Sequence, residues 1–229
     1  MAARVVVVLS GGMDSSTCMG IAHAAGQEIF PLTFIYGQKH AVELEAARKV
    51  AAHYGVSGRH KIVDLTGLLS GSALTDADKD IPVGRSLAEI GAGIPITYVP
   101  ARNIVFLSLA LAWAEPLGAE AIYLGVNVLD YSGYPDCRPD FIRAFQEVIN
   151  KGTAAGVEGR GIRIETPLIN LSKAEIVRKG VELGVPYHLT YSCYNGTVPS
   201  CGTCDACQLR LKGFHEAGLV DPIPYAPAS

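Results

Sequence analysis

Val5-Val6-Val7-Val8-Leu9-Ser10-Gly11-Gly12-Met13-Asp14-Ser15-Ser16 is the stretch whose reading decides the fold. Four valines and a leucine in a row suit a strand buried on both faces, as in a parallel sheet. A glycine pair then turns the chain, and a helix follows. At such a strand–turn–helix junction, backbone N–H groups and the positive end of the helix dipole converge on one point, which favours an anion. Gly11 and Gly12 allow close approach, and Ser10, Ser15 and Ser16 add hydroxyl donors. Asp14 does not fit a direct phosphate contact, because like charges repel; its carboxylate suits a partner of Mg²⁺. The turn lacks both the Gly-Lys-Ser/Thr of a Walker A loop and the Gly-x-Gly-x-x-Gly dinucleotide fingerprint.

Outward from this junction the same alternation continues. Strand signals at Val5–Leu9, Ile29–Tyr36 (broken early by Pro31), Lys61–Leu65 and Ala121–Val126 alternate with helical stretches. The helices are predicted at about Ser15–Ala25, Ala41–Tyr54, Asn103–Leu117 and Phe141–Lys151. This pattern predicts an α/β fold, an open parallel sheet with helices on both faces. Ser172-Lys173-Ala174-Glu175 is a capping box that opens a further helix ending near Gly184. Gly67–Gly93 is loop-like and longer than a connector needs, either a mobile flap or a surface excursion. Residues 1–190 are read as the main domain, and 191–229 as a small segment packed on it.

The chain has 229 residues, 49% of them hydrophobic, enough for a large core and incompatible with disorder or a collagen-like repeat. Nineteen basic and 22 acidic residues give a net charge of −3. No basic stripe is visible, so a small-molecule partner is expected and a nucleic acid is not. No run approaches the ~18 apolar residues of a membrane span, and the N-terminus has no secretory signal. A cytoplasmic protein with no membrane partner is expected.

Cys193-x7-Cys201-x2-Cys204-x2-Cys207 supplies four soft ligands, enough to close a tetrahedral structural Zn²⁺ site, one ion per chain. An iron–sulfur cluster is the alternative. Cys18 and Cys137 lie outside this cluster.

The loop after the fourth strand, Gly125 to Phe141, is dense with directional groups. Tyr131 and Tyr134 suit stacking, Asp136 and Asp140 can each accept two N–H donors, and Arg138 can pair with a substrate carboxylate. Two readings stand for Asp140, a substrate ligand and a cap for the next helix. Arg102 reads either as a phosphate contact or as the partner of a surface acid. Lys173 reads either as a phosphate contact or as a surface lysine.

The Ser10–Ser15 segment resembles the pyrophosphate-binding loop of the N-type ATP pyrophosphatases (PP-loop superfamily). The wider set is similar to one branch of it, the 7-cyano-7-deazaguanine synthase family of the queuosine pathway. The matching stretches are Leu9 to Ser15, Val99-Pro100-Ala101-Arg102-Asn103, Tyr131-Ser132-Gly133-Tyr134-Pro135-Asp136-Cys137-Arg138, Pro167-Leu168 to Ile176, and the four cysteines. The resemblance implies an adenine nucleotide alpha hydrolase-like fold and a homodimer. It implies a ligase that uses ATP with Mg²⁺ to turn 7-carboxy-7-deazaguanine and ammonia into the nitrile, through an acyl adenylate and an amide. Ser10, Asp14 and Lys173 become the candidate catalytic residues. Leu9, Ser10, Gly11, Gly12, Met13, Asp14, Ser15, Ser16 and Arg102 become the nucleotide contacts, and Tyr131, Tyr134, Asp136, Arg138 and Asp140 the substrate contacts. Two rivals share the loop: a tRNA thiolase, which needs free catalytic cysteines and a basic surface, and a nucleotide-binding regulatory module that releases no pyrophosphate.

Overall fold

In the computed structural model, which describes residues 2–38, 42–90, 93–129 and 133–227, β1 (Arg4–Val8) is the middle strand of a five-stranded sheet. Its neighbours are β2 (Glu28–Ile35) and β4 (Ala121–Tyr123), with β3 (Lys61–Asp64) and β5 (Arg163–Glu165) outside them; the order is β3-β2-β1-β4-β5 and every pair is parallel. The helices are α1 (Met13–Ala24), α2 (Val42–His53), α3 (Leu87–Ile90), α4 (Arg102–Leu117), α5 (Pro139–Gly152), α6 (Ala154–Val157), α7 (Lys173–Glu182) and α8 (Asp205–Glu216).

The valine run divides between two cores because successive strand residues point to opposite faces. Val5, Val7 and Leu9 pack with Cys18, Met19 and Ala22 of α1, Ala47 and Val50 of α2, and Ile176 of α7. Val6 and Val8 pack with Phe106, Leu107 and Ala110 of α4 and with Ile142 and Phe145 of α5. Both faces are covered, so the strand needs no polar alternation.

Pro31 does not break β2. Leu32 C=O accepts from Leu9 N–H at 2.8 Å, so Pro31, one residue earlier, turns its nitrogen away from β1. On that side pairing with β3 begins only at Leu32, opposite Lys61, and the missing N–H has no partner to lose. Besides the one-turn helices α3 and α6, two elements escape the hydrophobic pattern. β5 is three residues at the sheet edge, with one apolar residue between two charged ones, and α8, with Cys204 at its N-cap, buries Asp205, Cys207 and Arg210 beside Leu209 and Phe214. The capping box forms: Ser172 Oγ accepts from Glu175 N–H, and the Glu175 carboxylate accepts from Ser172 N–H at 2.7 Å.

In the segment without a predicted element, Gly84 and Arg85 tie residues 67–90 to the C-terminal region. Gly84 N–H donates to Thr203 C=O at 2.9 Å, and Arg85 forms a bidentate pair with the buried carboxylate of Asp205. Arg210, 1% exposed, holds Asp221 through two hydrogen bonds of 2.7 and 2.9 Å and also donates to Thr190 Oγ1 and Tyr187 C=O. Among the described residues, no helix is long and apolar enough to cross a membrane.

Candidate active site

The chain runs from β1 to β2 on one side, while β4 stands on the other, so the carboxyl ends of β1 and β4 open a crevice at the switch point of the sheet. The glycine loop lies in it. α1 starts without a side-chain cap at Gly12, which leaves its first N–H groups available to an anion. Gly11, at φ +83°, is required twice over: a Cβ there would lie 2.5 Å from Glu43 O and 2.6 Å from Ala47 N of α2. Gly125, just past β4, lets that segment press against the loop, since its Cβ would lie 3.0 Å from Asp14 C. Within the loop, Ser15 Oγ donates to Gly12 C=O at 3.1 Å and accepts from Ser10 N–H at 3.2 Å. The Ser10 and Ser15 hydroxyl oxygens are 3.0 Å apart. Tyr191 N–H fixes Gly11 C=O at 2.9 Å.

A cleft of about 290 Å³ lies over this loop. Leu9, Ser10, Gly12, Met13, Asp14 and Ser15 line it, together with Arg102, Tyr134 and Lys173. Lys173 Nζ donates to Asp14 Oδ2 at 2.5 Å; its side chain is 12% exposed, so it is no surface lysine. Asp14 Oδ1 is buried and has no hydrogen-bond partner among the described residues. An orphaned carboxylate oxygen beside a phosphate-type loop fits the divalent ion that ATP carries.

Arg102 opens α4 after Ala101, the one described non-glycine residue with positive φ, at +57°. Such a conformation costs roughly 1–2 kcal/mol for an alanine. Ala101 N–H donates to the Tyr98 hydroxyl at 3.2 Å, and the turn delivers the Arg102 guanidinium over the Tyr134 ring at 5.8 Å. Glu43 shares the cleft; burial pushes its carboxyl up to about 7, against the opposing pull of Arg102 and Gln38.

Other expected contacts lie elsewhere. Gly11 supports the loop from behind, and Ser16 is fully buried on α1, outside the cleft lining. Asp136 is 4% exposed, and its Oδ2 accepts from Asn103 N–H at 2.9 Å. Asn103 Nδ2 returns the contact to Asp136 C=O at 3.1 Å. Asp136 thus caps α4 and does not line the cleft. Asp140, read either as a cap or as a substrate ligand, is 87% exposed at its side chain and pairs with Arg143. Arg138 is exposed at the start of α5. Tyr131 lies outside the described residues. Residues that the sequence reading missed also line the cleft: Tyr36, Glu43, Asn127, Tyr191 and Arg210. For Asn127 a signal existed, its place at the carboxyl end of the fourth strand; for the others there was none.

The sulfurs of Cys193, Cys201, Cys204 and Cys207 all lie within 4.8 Å of one another. Tyr194 N–H and Cys201 N–H donate to the sulfurs of Cys204 and Cys193, each at 3.4 Å, as backbone amides do toward metal-bound thiolates. The four sulfurs converge on one point, which fits a single metal ion. Cys137 is different. Burial pushes its thiol up to about 12, and Asn103 Nδ2 holds it at 3.3 Å.

The model of the family described as "Queuosine biosynthesis protein QueC" matches residues 4–218. The chain belongs to this family. The 7-cyano-7-deazaguanine synthase of Acetivibrio thermocellus is 55% identical over 97% of both chains, and that of Magnetococcus marinus 58% identical over 96% of both. Among solved structures, a 4-thiouridine synthetase in an RNA complex with bound ATP superposes with a TM-score of 0.51. It is 20% identical and covers 94% of this chain and 50% of its own, a likeness of fold. The family and these relatives place the chain among the synthases of queuosine biosynthesis. It is an enzyme, with a cysteine cluster fit for a metal.

Proposed function

We propose that the cleft converts 7-carboxy-7-deazaguanine, ammonia and ATP into 7-cyano-7-deazaguanine, as an ATP-dependent carbon–nitrogen ligase. The observation that carries the reading is the part-buried Asp14–Lys173 pair at the open N-terminus of α1. A carboxylate is a poor electrophile. Its oxygen attacks the α-phosphorus of ATP, and pyrophosphate leaves. Ammonia attacks the acyl carbon of the adenylate, giving the amide, AMP and a proton. The amide oxygen then attacks the α-phosphorus of a second ATP, a second pyrophosphate leaves, and loss of AMP and two protons gives the nitrile.

At each phosphoryl step negative charge builds on oxygens above the glycine loop. The α1 N–H groups, the Ser10 and Ser15 hydroxyls and Lys173 meet that charge, and Arg102 is placed to hold phosphate from the opposite wall. Asp14 would hold Mg²⁺, which supplies charge neutralisation of the phosphates. No side chain acts as a nucleophile, consistent with Cys137 remaining a protonated thiol. Tyr134 supports a stacking role toward the deazaguanine. Arg138 and Asp140, both exposed, remain proposed contacts for a bound state only, and Tyr131 remains a proposed contact.

We assign Zn²⁺ to the four cysteines as a structural ion, because a closed set of four thiolates leaves no open coordination position. The reduced thiols support a cytoplasmic enzyme, and the family resemblance supports a homodimer with small-molecule partners only. The test is pyrophosphate release with a panel of carboxylic acids. Release that depends on 7-carboxy-7-deazaguanine, with two pyrophosphates per nitrile, is expected. ATP binding with no release for any acid would return the chain to the regulatory reading.

A further inference from the structure

Two oxygens of cleft-lining residues have no partner among the described residues, Asp14 Oδ1 and Asn127 Oδ1. Neither is free to turn toward a neighbour. Lys173 occupies the other oxygen of Asp14. The Asn127 amide nitrogen donates to Leu171 C=O, and reversing the amide would set oxygen against oxygen. Asn127 is 8% exposed, so its carbonyl oxygen is buried without the water or donor that such an atom ordinarily has.

The two residues come from adjacent strands that flank the crevice. Asp14 follows β1 and Asn127 follows β4, and the bare Gly125 brings the segment leading to Asn127 against the backbone of Asp14 and Ser15. That segment keeps a fixed course: Leu124 N–H and Val128 N–H donate to Glu165 and Ile169 carbonyls at 2.9 and 3.2 Å. Asn127 is also tied, through Leu171, to the turn that carries Lys173.

One carboxylate oxygen and one amide oxygen, both hard and both unsatisfied, match a small divalent cation that keeps part of its water and takes its remaining ligands from phosphate. A neutral amide oxygen adds a ligand without adding a charge that would repel the phosphates. We propose that Asn127 is a second protein ligand of the magnesium that accompanies ATP, with Asp14 the first. This assignment rests on the pyrophosphatase reading of the cleft.

The test is titration of the full chain with Mn²⁺ in the presence of α,β-methylene-ATP, without carboxylate or ammonia. Asn127→Ala is expected to weaken metal binding by about tenfold or more, while metal-free affinity for the analogue and the melting temperature stay near wild type. Asn127→Asp retains an oxygen and is expected to bind the metal as tightly as wild type or more so. Its melting temperature shows what loss of the bond to Leu171 costs by itself. Unchanged metal affinity in Asn127→Ala overturns the assignment. So does equal weakening of the analogue with and without metal, which would make Asn127 a nucleotide contact. In parallel steady-state assays with ATP, a rise only in the KM for ammonia or for the carboxylate overturns it too, since the oxygen would then accept a substrate N–H. Metal-dependent analogue binding by wild type, together with no pyrophosphate release from ATP itself when 7-carboxy-7-deazaguanine and ammonia are supplied, would defeat the proposed reaction and leave the Asn127 assignment standing.

Discussion

Lys173 Nζ stands 2.5 Å from Asp14 Oδ2, across 159 positions of sequence. The contact joins the first turn of α1 to the first turn of α7, each the positive end of a helix dipole. A lysine there neutralises a carboxylate that would otherwise repel phosphate. It leaves the second carboxylate oxygen for a metal.

Removing either partner is expected to damage chemistry far more than folding. Lys173→Met should lower kcat/KM for ATP by roughly 10²–10³-fold, the loss typical of one charge-stabilising donor. Asp14→Asn keeps the shape and should abolish pyrophosphate release. Steady-state kinetics beside thermal melts check this. A melt that falls as steeply as the rate would make the pair structural.

Asp136 and Asp140 are expected to separate cleanly. Asp136→Ala removes the acceptor for Asn103 N–H near the start of α4 and should cost ~1–2 kcal/mol, a drop of roughly 2–8 °C. Because α4 begins with Arg102, the KM for ATP should rise with it. Asp140→Ala removes an exposed carboxylate and should change stability by no more than about 0.5 kcal/mol. A loss of carboxylate binding in Asp140→Ala with stability intact would show that the loop turns inward to read the substrate.

Metal removal should unfold the C-terminal region first. Elemental analysis is expected to find about one zinc per chain, and chelation or Cys204→Ser to lower the melting temperature and expose residues 67–90 to protease. That segment is pinned to the metal-binding region by Gly84 and Arg85. Iron with acid-labile sulfide in place of zinc would refute the mononuclear assignment.

Glu43 gives stability a pH dependence of known sign. Burial, the largest cause, raises its folded carboxyl to about 7, above the ordinary carboxylate value it has when unfolded. Between those values the folded state binds the extra proton. Its contribution is therefore fully present below the unfolded value and lost as pH rises through about 7. Denaturant melts of Glu43→Gln should show a flatter decline between pH 5 and pH 8 than wild type. Identical slopes would mean that Glu43 is already charged at pH 5.

The local order of the chain is enough to show the loop, the βαβ alternation, the Ser172 capping box and the cysteine spacing. Each depends on residues close in sequence: a valine run that must be buried, a glycine pair that must turn, four thiols on a short segment. Sequence alone did not show what happens where distant segments meet. Asp136 and Asp140 are four residues apart and chemically the same. Which one is buried as a cap depends on how the 133–138 segment docks on α4, and nothing local distinguishes them. Lys173 resembles any lysine in a first helical turn until the sheet order brings α7 beside α1. β5 has a single central apolar residue because an edge strand needs little burial, and Asn127 became conspicuous only once its oxygen was found without a partner. Spacing along the chain determines the kinds of chemistry present, but burial and pairing in three dimensions determine which copy of each group performs it, because an electrostatic environment is a property of packing and not of neighbours in sequence.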